Sequence, residues 1–384
     1  MAFCKDGLTV LSLFDGMSCG AIALREAGIP VKQYFASEID RQAIRQTQHN
    51  FPDTIQLGSV TDVRVAELPP IDLLIGGSPC QGFSFAGKQL NFNDPRSSLF
   101  FEYVRILHEI QSYNPNVKFL LENVRMVKEF ENVITSQLGL FPVMINSALV
   151  SAQNRVRLYW TNIRTKTVPH LFGSDTYSDI PQPQDRGIFL CDILEKDVDE
   201  RFYLSHRQIK NLIRLDSENA ASENAVNSII NGQQYCVAFR GRLNPATGQN
   251  EQKPEIRSDG KSNTLTTVQK DNMIITFDSP SESIKVISGT IDTRKSGMGF
   301  RPVVSGKGAC IRASASHQSV CMLVGGGNIG LRHLTPTEWC RLQTIPEWYE
   351  WVCGESQIYQ MLGNGWTVEV IRHIFQFLNN NAIL

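Results

Sequence analysis

The chain has 384 residues, of which 42% are hydrophobic, and its 37 Lys and Arg residues nearly balance 38 Asp and Glu residues. This composition excludes a mostly disordered chain, which needs low hydrophobicity and high net charge. No run reaches the roughly 20 apolar residues of a membrane-spanning helix. The nine cysteines form no CxxC pair, which disfavours a secreted disulfide framework and a zinc ribbon and favours a reducing cellular interior.

The first 165 residues alternate strand-like and helix-like segments. The helix-like segments are residues 21–27, 41–49 and 99–111, and the strand-like segments are residues 8–14, 34–39, 71–75 and 117–121. Strands that alternate with helices of this length indicate an α/β fold with a doubly wound, mostly parallel sheet. Ligands of such sheets bind beyond the carboxyl ends of the strands.

The pattern changes after about residue 165, and residues 214–330 are rich in Gly, Ser, Asn and Thr with short β-prone runs. A weak similarity between residues 237–273 and 287–322 predicts two related β-rich units. Helical character returns at Thr335. We therefore expect a first domain at residues 1–170, a smaller β-rich domain at 171–330, and a return to the first domain at 331–384.

The β-rich region is basic although the whole chain is nearly neutral. Residues 237–320 contain 12 Lys and Arg against seven Asp and Glu. A basic segment of this kind suits a polyanionic partner. A solvated, loop-rich face would have the same composition.

A small-residue loop follows the first predicted strand, with Phe14, Asp15, Gly16 and Gly20 in the segment FDGMSCG. Small residues let the backbone approach a ligand, and a helix N-terminus favours an anionic group. Glu38 ends the second predicted strand, where an acidic residue can bind the hydroxyls of a ribose. Together they predict a nucleoside-containing cofactor, and the lack of GxGxxG disfavours a nicotinamide.

Cys80 lies in the segment GGSPCQGFS, directly after a predicted buried strand. Two glycines and a proline indicate a tight turn that presents the thiol at the ligand edge of the sheet. A thiolate in such a place is a strong nucleophile. A buried structural cysteine is the common alternative for a free thiol.

Glu122 follows the next predicted strand and reaches the same edge, where it can act as a proton donor or simply cap a helix. Arg155 and Arg157 precede an aromatic strand-like run, and strand alternation places them on one face. Two guanidinium groups on one face suit an anionic or carbonyl-rich ligand, or a solvated sheet edge.

The order of these segments resembles the cytosine-5 DNA methyltransferase family. The resemblance covers residues 8–165 and 332–384, and it leans towards the branch that includes the vertebrate de novo enzymes and their microbial or viral relatives. It rests on FDGMSCG, SEID, GGSPCQGFS, ENV, QNRVR, RLQTIP and QMLGNGW. It implies the Rossmann-like fold of S-adenosylmethionine-dependent methyltransferases, with residues 171–330 as a target-recognition domain.

The resemblance implies a reaction as well as a fold. Cys80 would attack C6 of a flipped-out cytosine, Glu122 would share a proton with N3, and Arg157 would bind O2, with Arg155 steadying the catalytic loop or a phosphate. The methyl group would come from S-adenosyl-L-methionine, which leaves as S-adenosyl-L-homocysteine, and no metal is expected.

The family motifs also imply binding residues. Cofactor contacts are expected from Phe14, Asp15, Gly16, Gly20, Glu38, Ile39, Ser59, Val60, Pro79, Asn364, Gly365 and Trp366. Ser59 departs from the family pattern, since many members carry Asp there. DNA contacts are expected from Gln81, Ser84, Gln153, Arg240, Arg242, Arg257, Lys261, Thr264, Thr266, Thr267, Lys270 and Arg312.

The expected partner is double-stranded DNA with a short recognised sequence, and a cognate restriction endonuclease is a candidate second partner. A monomer is favoured, with no membrane association, in the cytoplasm of a bacterial or phage-infected cell or in a eukaryotic nucleus. Two alternatives stay open: a transfer-RNA cytosine-5 methyltransferase, and a catalytically inactive homologue that binds DNA as a regulator.

Overall fold

The structure is a computed structural model that describes residues 6–78, 95–203, 235–243, 250–257, 259–267, 272–277, 285–292, 299–302, 317–324 and 329–378. The chain divides into two compact units. The first contains Met1–Ser151, Arg155–Gly187 and Cys340–Leu384, and the second contains Ala152–Asn154 and Ile188–Trp339. None of the helices in the described ranges is both long and apolar enough to cross a membrane.

The first unit is built on a seven-stranded sheet of order β3-β2-β1-β4-β5-β7-β6. Its strands are β1 (Leu8–Leu13), β2 (Val31–Ser37), β3 (Ile55–Gln56), β4 (Leu73–Gly76), β5 (Lys118–Val124), β6 (Val143–Asn146) and β7 (Val156–Thr161). The pairs among β1 to β5 are parallel, whereas β7 is antiparallel to β5 and β6. The predicted Rossmann-like, mostly parallel sheet is confirmed.

Helices alternate with these strands and return at the end of the chain. In chain order they are α1 (Cys19–Glu26), α2 (Arg41–Asn50), α3 (Pro95–Gln111), α4 (Lys128–Leu138), α5 (Leu190–Ile193), α6 (Pro336–Leu342), α7 (Glu355–Asn364) and α8 (Val368–Phe375). α8 packs against α1 through a buried apolar face. The first and last helices are therefore neighbours, which brings the C-terminal motif to the sheet.

Gly20 sets how closely α1 approaches the sheet. A Cβ at this position would overlap Cδ1 of Ile75 on β4 and lie 3.1 Å from the Tyr34 hydroxyl on β2. A larger residue at this position would force the Ile75 side chain to move, which is costly because interiors are close-packed. The close approach holds the N-terminus of α1 at the carboxyl ends of β1 and β4.

A two-stranded hairpin, β8 (Thr165–His170) with β9 (Gly173–Ser178), completes the first unit. The second unit contains a four-stranded sheet of order β11-β10-β12-β16 and a three-stranded sheet of order β14-β13-β15. These strands are β10 (Tyr235–Leu243), β11 (Asn250–Arg257), β12 (Met273–Phe277), β13 (Lys285–Asp292), β14 (Gly299–Pro302), β15 (His317–Val324) and β16 (Ile329–His333). β11-β10-β12 and β14-β13-β15 share one topology, as two related β-rich units would.

A buried ion pair stabilises the C-terminal part of the second unit. The guanidinium of Arg332 donates to both oxygens of the Glu338 carboxylate, at 2.7 and 2.8 Å. The backbone N–H groups of Thr335 and Glu195 donate to the same carboxylate, each at 2.9 Å. The side chains of Arg332 and Glu338 are 3% and 0% exposed. The cost of removing both charges from water is therefore offset by these hydrogen bonds and not by solvent.

We expect Glu338→Gln to lower the free energy of unfolding by about 3 kcal/mol, because it leaves the Arg332 charge buried without a counter-charge. Asp179→Asn is the control, since Asp179 pairs with Arg164 at 3.0 Å with side chains 38% and 45% exposed, and a surface pair contributes less than about 1 kcal/mol. Urea denaturation of the two variants measures the difference. Equal losses would contradict the role assigned to the buried pair.

Candidate active site

A cavity of about 380 Å³ opens at the carboxyl edge of the first unit's sheet. Its wall combines the loop after β1, the ends of β2, β4 and β5, the start of β7 and the end of α7. The position is the one expected for a ligand of a doubly wound sheet. Eleven of the predicted site residues line it: Phe14, Asp15, Gly16, Gly20, Glu38, Glu122, Arg155, Arg157, Asn364, Gly365 and Trp366.

The loop after β1 has an unusual backbone. Phe14, Gly16 and Ser18 all have positive φ, at 57°, 58° and 62°, which is a costly conformation for the two non-glycine residues. The Glu38 carboxylate holds the loop, because its Oε2 accepts a hydrogen bond from the Gly16 backbone N–H at 2.8 Å. Oε1 of Glu38 accepts hydrogen bonds from the backbone N–H groups of Ile39 and Asp40, at 2.7 and 2.9 Å. The predicted ribose-binding carboxylate is thus fixed in place before any ligand binds.

Asp15 supports the same loop from beneath. The Tyr34 hydroxyl donates to its Oδ1 at 2.8 Å, and the Ser18 hydroxyl donates to its Oδ2. The oxygens of Ser18 and Thr47 lie 3.0 Å apart, which extends the network to α2. Burial raises the pKa of the Asp15 carboxyl to about 6. Asp15 therefore holds the strained loop as well as lining the cavity.

Glu122, Arg157 and Trp366 meet at the inner wall. Oε1 of Glu122 lies 3.0 Å from Nε of Arg157, but the N–H is not aligned with it, so the contact is an ion pair without a directed hydrogen bond. The Trp366 indole Nε1–H donates to Oε2 of Glu122 at 3.1 Å. A carboxylate and a guanidinium thus face one cavity, where they can bind an amide-like ligand edge.

Arg155 is 4% exposed, so it is not part of a solvated sheet edge. Its Nη2 donates to the carbonyl oxygen of Gly365 at 2.9 Å. Burial, together with the like charge of Arg157, lowers the pKa of Arg155. Arg155 thus attaches the segment after α7 to the end of the sheet.

Three predicted cofactor residues do not line the cavity. Ile39 is 74% exposed, and Val60 packs into the apolar core. The Ser59 hydroxyl accepts from the Thr61 backbone N–H at 3.3 Å and caps a short 3₁₀ turn. The cofactor contacts expected of these three residues stay predictions. Pro79, Cys80, Gln81 and Ser84 lie outside the described residues.

The cavity wall includes residues that sequence reasoning did not select. They are Ser12, Met17, Cys19, Asp40, Ala43, Gly77, Ser78, Asn123, Val124, Gln360, Met361 and Gly363. Most lie inside or beside the motifs that were recognised, so membership of those motifs was the available signal. Burial raises the pKa of the Cys19 thiol to about 12, which makes this cysteine a packing residue.

The predicted DNA contacts in the second unit fall into two groups. Gln153 and Lys261 are 0% and 8% exposed: Oε1 of Gln153 accepts from the Leu265 backbone at 2.9 Å, and the Lys261 ammonium donates to the Ile188 carbonyl. The Thr264 hydroxyl likewise donates to the Asn154 carbonyl at 2.7 Å. These three side chains make hydrogen bonds within the second unit, and their expected DNA contacts stay predictions.

The remaining residues predicted to contact DNA are less buried, lie on β10, or lie outside the described residues. Arg257 pairs with half-exposed Asp259, and Thr267 is exposed while Thr266 is half-buried. Arg240 and Arg242 belong to β10. Lys270 and Arg312 lie outside the described residues.

Comparison with known proteins adds to this geometry. The sequence model of the family described as C-5 cytosine-specific DNA methylase matches residues 8–380. The chain is 29% identical to the Type II methyltransferase M.HpaII of Haemophilus parainfluenzae, over 96% of this chain and 88% of that protein. It is 30% identical to the Orphan methyltransferase M.SPRI of Bacillus phage SPR, over 78% and 70%.

Solved structures show the same fold at low identity. The Dnmt2 methyltransferase of S. pombe matches with a TM-score of 0.56 at 17% identity, over 98% of this chain and 100% of that one. The methyltransferase EhMeth of Entamoeba histolytica matches with a TM-score of 0.58 at 14% identity, over 98% and 99%.

The raised pKa of Asp15 predicts a specific pH dependence of stability. The carboxyl titrates near 3.8 when unfolded and near 6 when folded, so its contribution is fully present below pH 3.8 and is lost as the pH rises through 6. The total loss is about 3 kcal/mol. We expect Asp15→Asn to gain stability relative to the wild type over this window, measured by urea denaturation from pH 4 to 7.5. A difference that does not change with pH would contradict this assignment.

Proposed function

Because the chain belongs to the C-5 cytosine-specific DNA methylase family, we propose that it transfers a methyl group from S-adenosylmethionine to C5 of cytosine in duplex DNA. The observation that carries this proposal is the ion pair of Glu122 and Arg157, which faces the same cavity as the loop after β1. A base-binding pair and a cofactor-binding loop in one cavity are what a direct transfer requires.

The residues of the cavity fit the cofactor. Its volume of about 380 Å³ lies within the usual range of small-molecule sites. Oε2 of Glu38 accepts one backbone N–H and so keeps acceptor capacity for a ribose hydroxyl. The N-terminus of α1, with Gly16 and Gly20 before and within its first turn, suits the carboxylate of the methionine part. S-adenosylmethionine, when bound, supplies an electrophilic methyl group.

Cys80 is proposed as the nucleophile. Gly77 and Ser78 line the cavity, and Cys80 is the second residue after Ser78 in the chain. As a thiolate it would form an S–C6 bond to cytosine, and the ring electrons at C5 would then attack the methyl carbon as the methyl–sulfur bond breaks and S-adenosylhomocysteine leaves. Loss of the C5 proton to water and cleavage of the S–C6 bond would restore the aromatic ring and the free thiolate.

Glu122 and Arg157 are proposed to activate the base. The Glu122 carboxyl would share a proton with N3 and so offset the charge that develops in the ring on attack. Arg157 would bind O2 of the base, which orients the ring and withdraws charge. The two side chains lie 3.0 Å apart, so the edge of the base that carries N3 and O2 would face both groups side by side.

The site is a concave pocket, so the target cytosine is proposed to leave the duplex before it reacts. The second unit, with the predicted arginines on β10, is proposed to read a short DNA sequence. The relatives include a Type II and an Orphan methyltransferase, and a restriction endonuclease partner is proposed by analogy with the former alone. We propose that the protein acts as a monomer on DNA.

The decisive test is transfer of labelled methyl from S-adenosylmethionine, with duplex DNA and bulk transfer RNA in parallel. We expect label on DNA only, at positions that bisulfite sequencing identifies. Cys80→Ser should lower transfer by at least about 10³-fold while DNA binding survives, because a hydroxyl is a much weaker nucleophile. Cys191→Ser, at an exposed cysteine, is the matched control.

The other outcomes discriminate the alternatives. Label on RNA alone would identify RNA, and not DNA, as the substrate. Near wild-type turnover of Cys80→Ser would show that Cys80 is not the nucleophile. Bound cofactor and DNA without transfer would favour a regulatory DNA-binding protein.

DNA affinity is expected to fall steeply with salt. If four or more phosphates are contacted, the dissociation constant rises about a hundredfold between 50 and 200 mM salt. Arg240→Ala with Arg242→Ala should make the salt dependence shallower, because each lost phosphate contact removes one unit of counterion release. Arg164→Ala is the control, since Arg164 pairs with Asp179 in the first unit. A flat titration by fluorescence anisotropy would contradict a DNA surface on β10.

A further inference from the structure

Trp366 contacts two parts of the candidate site at once. It lines the cavity, where the family resemblance places a cofactor contact. Its indole Nε1–H also donates to Oε2 of Glu122 at 3.1 Å. The second contact is with the proposed catalytic carboxyl and not with the cofactor.

The Glu122 carboxylate has different partners on its two oxygens. The Arg157 guanidinium lies beside Oε1 without an aligned N–H, so it supplies charge but little direction. The indole N–H at Oε2 is a directed donor, and hydrogen bonds weaken steeply when misaligned. The orientation of the carboxyl plane therefore depends more on Trp366 than on the nearer charge.

The backbone around this hydrogen bond is shaped to permit it. A Cβ on Gly77 would lie 2.9 Å from Nε1 of Trp366 and 3.0 Å from Oε2 of Glu122. A side chain at residue 77 would thus contact both polar atoms and push them apart. Arg155 holds the residue before Trp366, through the Gly365 carbonyl at 2.9 Å.

We propose that Trp366 is a positioning residue for Glu122: its indole N–H fixes Oε2 so that the carboxyl faces the base. The inference rests on the proposed function, in which Glu122 shares a proton with cytosine N3. Each carboxylate oxygen can accept more than one hydrogen bond, so the indole leaves acceptor capacity for the base. The same side chain closes the cofactor cavity, so the two halves of the reaction centre share one wall.

Trp366→Phe tests this proposal because it keeps an aromatic ring in the cavity wall and removes the N–H. We expect kcat to fall about tenfold, the effect of one hydrogen bond to a charged group, while KM for S-adenosylmethionine changes less than about threefold. Trp348→Phe is the matched control, since its indole N–H donates to the Glu26 carboxylate at 2.8 Å on the surface. It should leave both constants unchanged.

A double-mutant cycle separates positioning from a general loss of structure. If Trp366 acts through Glu122, Trp366→Phe should have less than about a twofold effect in the Glu122→Gln background. Full multiplication of the two effects, or wild-type kcat in Trp366→Phe alone, would overturn the positioning role. Wild-type turnover in Glu122→Gln would instead overturn the proposed role of Glu122.

A measurement without turnover keeps the proposal testable if Trp366→Phe does not fold. The chain has five tryptophans, whose indole N–H signals can be followed by nuclear magnetic resonance after ¹⁵N labelling. We expect Glu122→Gln to shift one indole signal that Glu26→Gln leaves in place, and Glu26→Gln to shift that of Trp348. An indole spectrum unchanged by Glu122→Gln would show that the hydrogen bond is absent in solution.

Discussion

The candidate site is organised around a carboxylate that has little contact with solvent. Glu122 is 8% exposed, and an unpaired charge in such a place would cost several kcal/mol. Arg157 compensates the charge from the antiparallel neighbour strand β7, and Trp366 supplies a hydrogen bond from the segment after α7. Because β7 runs antiparallel to β5, its first residues reach the carboxyl end of β5, and Glu122 and Arg157 can share one wall of the cavity. A parallel strand in that position would direct its carboxyl end, and not its start, to the site.

A second constraint lies on the other side of the cavity, where the loop after β1 has three residues with positive φ. Such a loop persists only when its surroundings over-determine it. Glu38 holds it from the rim, and Asp15 with Tyr34 and Ser18 holds it from below. The two walls are linked through the last helices, since α8 packs on α1 and the Tyr349 hydroxyl donates to the Met17 carbonyl at 2.9 Å. The two walls of the cavity are thus parts of one packed assembly.

Much of the fold and of the candidate site was predictable from the sequence, and the features that were not predictable share a cause. The spacing of apolar residues and the turn-forming residues predicted the alternating strands and helices, because those signals are local. The family motifs placed Glu122, Arg157 and Trp366 at one site. The inward contacts of Asp15 were not predictable, since they depend on Tyr34 and Ser18 meeting it in space. Lys261 was expected at a DNA surface on charge alone, yet it is 8% exposed, because its ammonium donates to a carbonyl that no local pattern identifies. Residue type predicts chemistry, whereas the direction of a side chain is set by distant partners.

The closing of the cavity by residues after α7 has a consequence for when the protein can first act. The loop at Phe14 and the indole at Trp366 are roughly 350 residues apart in the chain. At about 5–20 residues per second on the ribosome, the later one follows the earlier by about 20–70 s. During that interval β1 to β7 can pair, but Glu122 lacks its indole donor and the cavity lacks one wall. The growing chain therefore has no complete cavity wall until Trp366 has been synthesised.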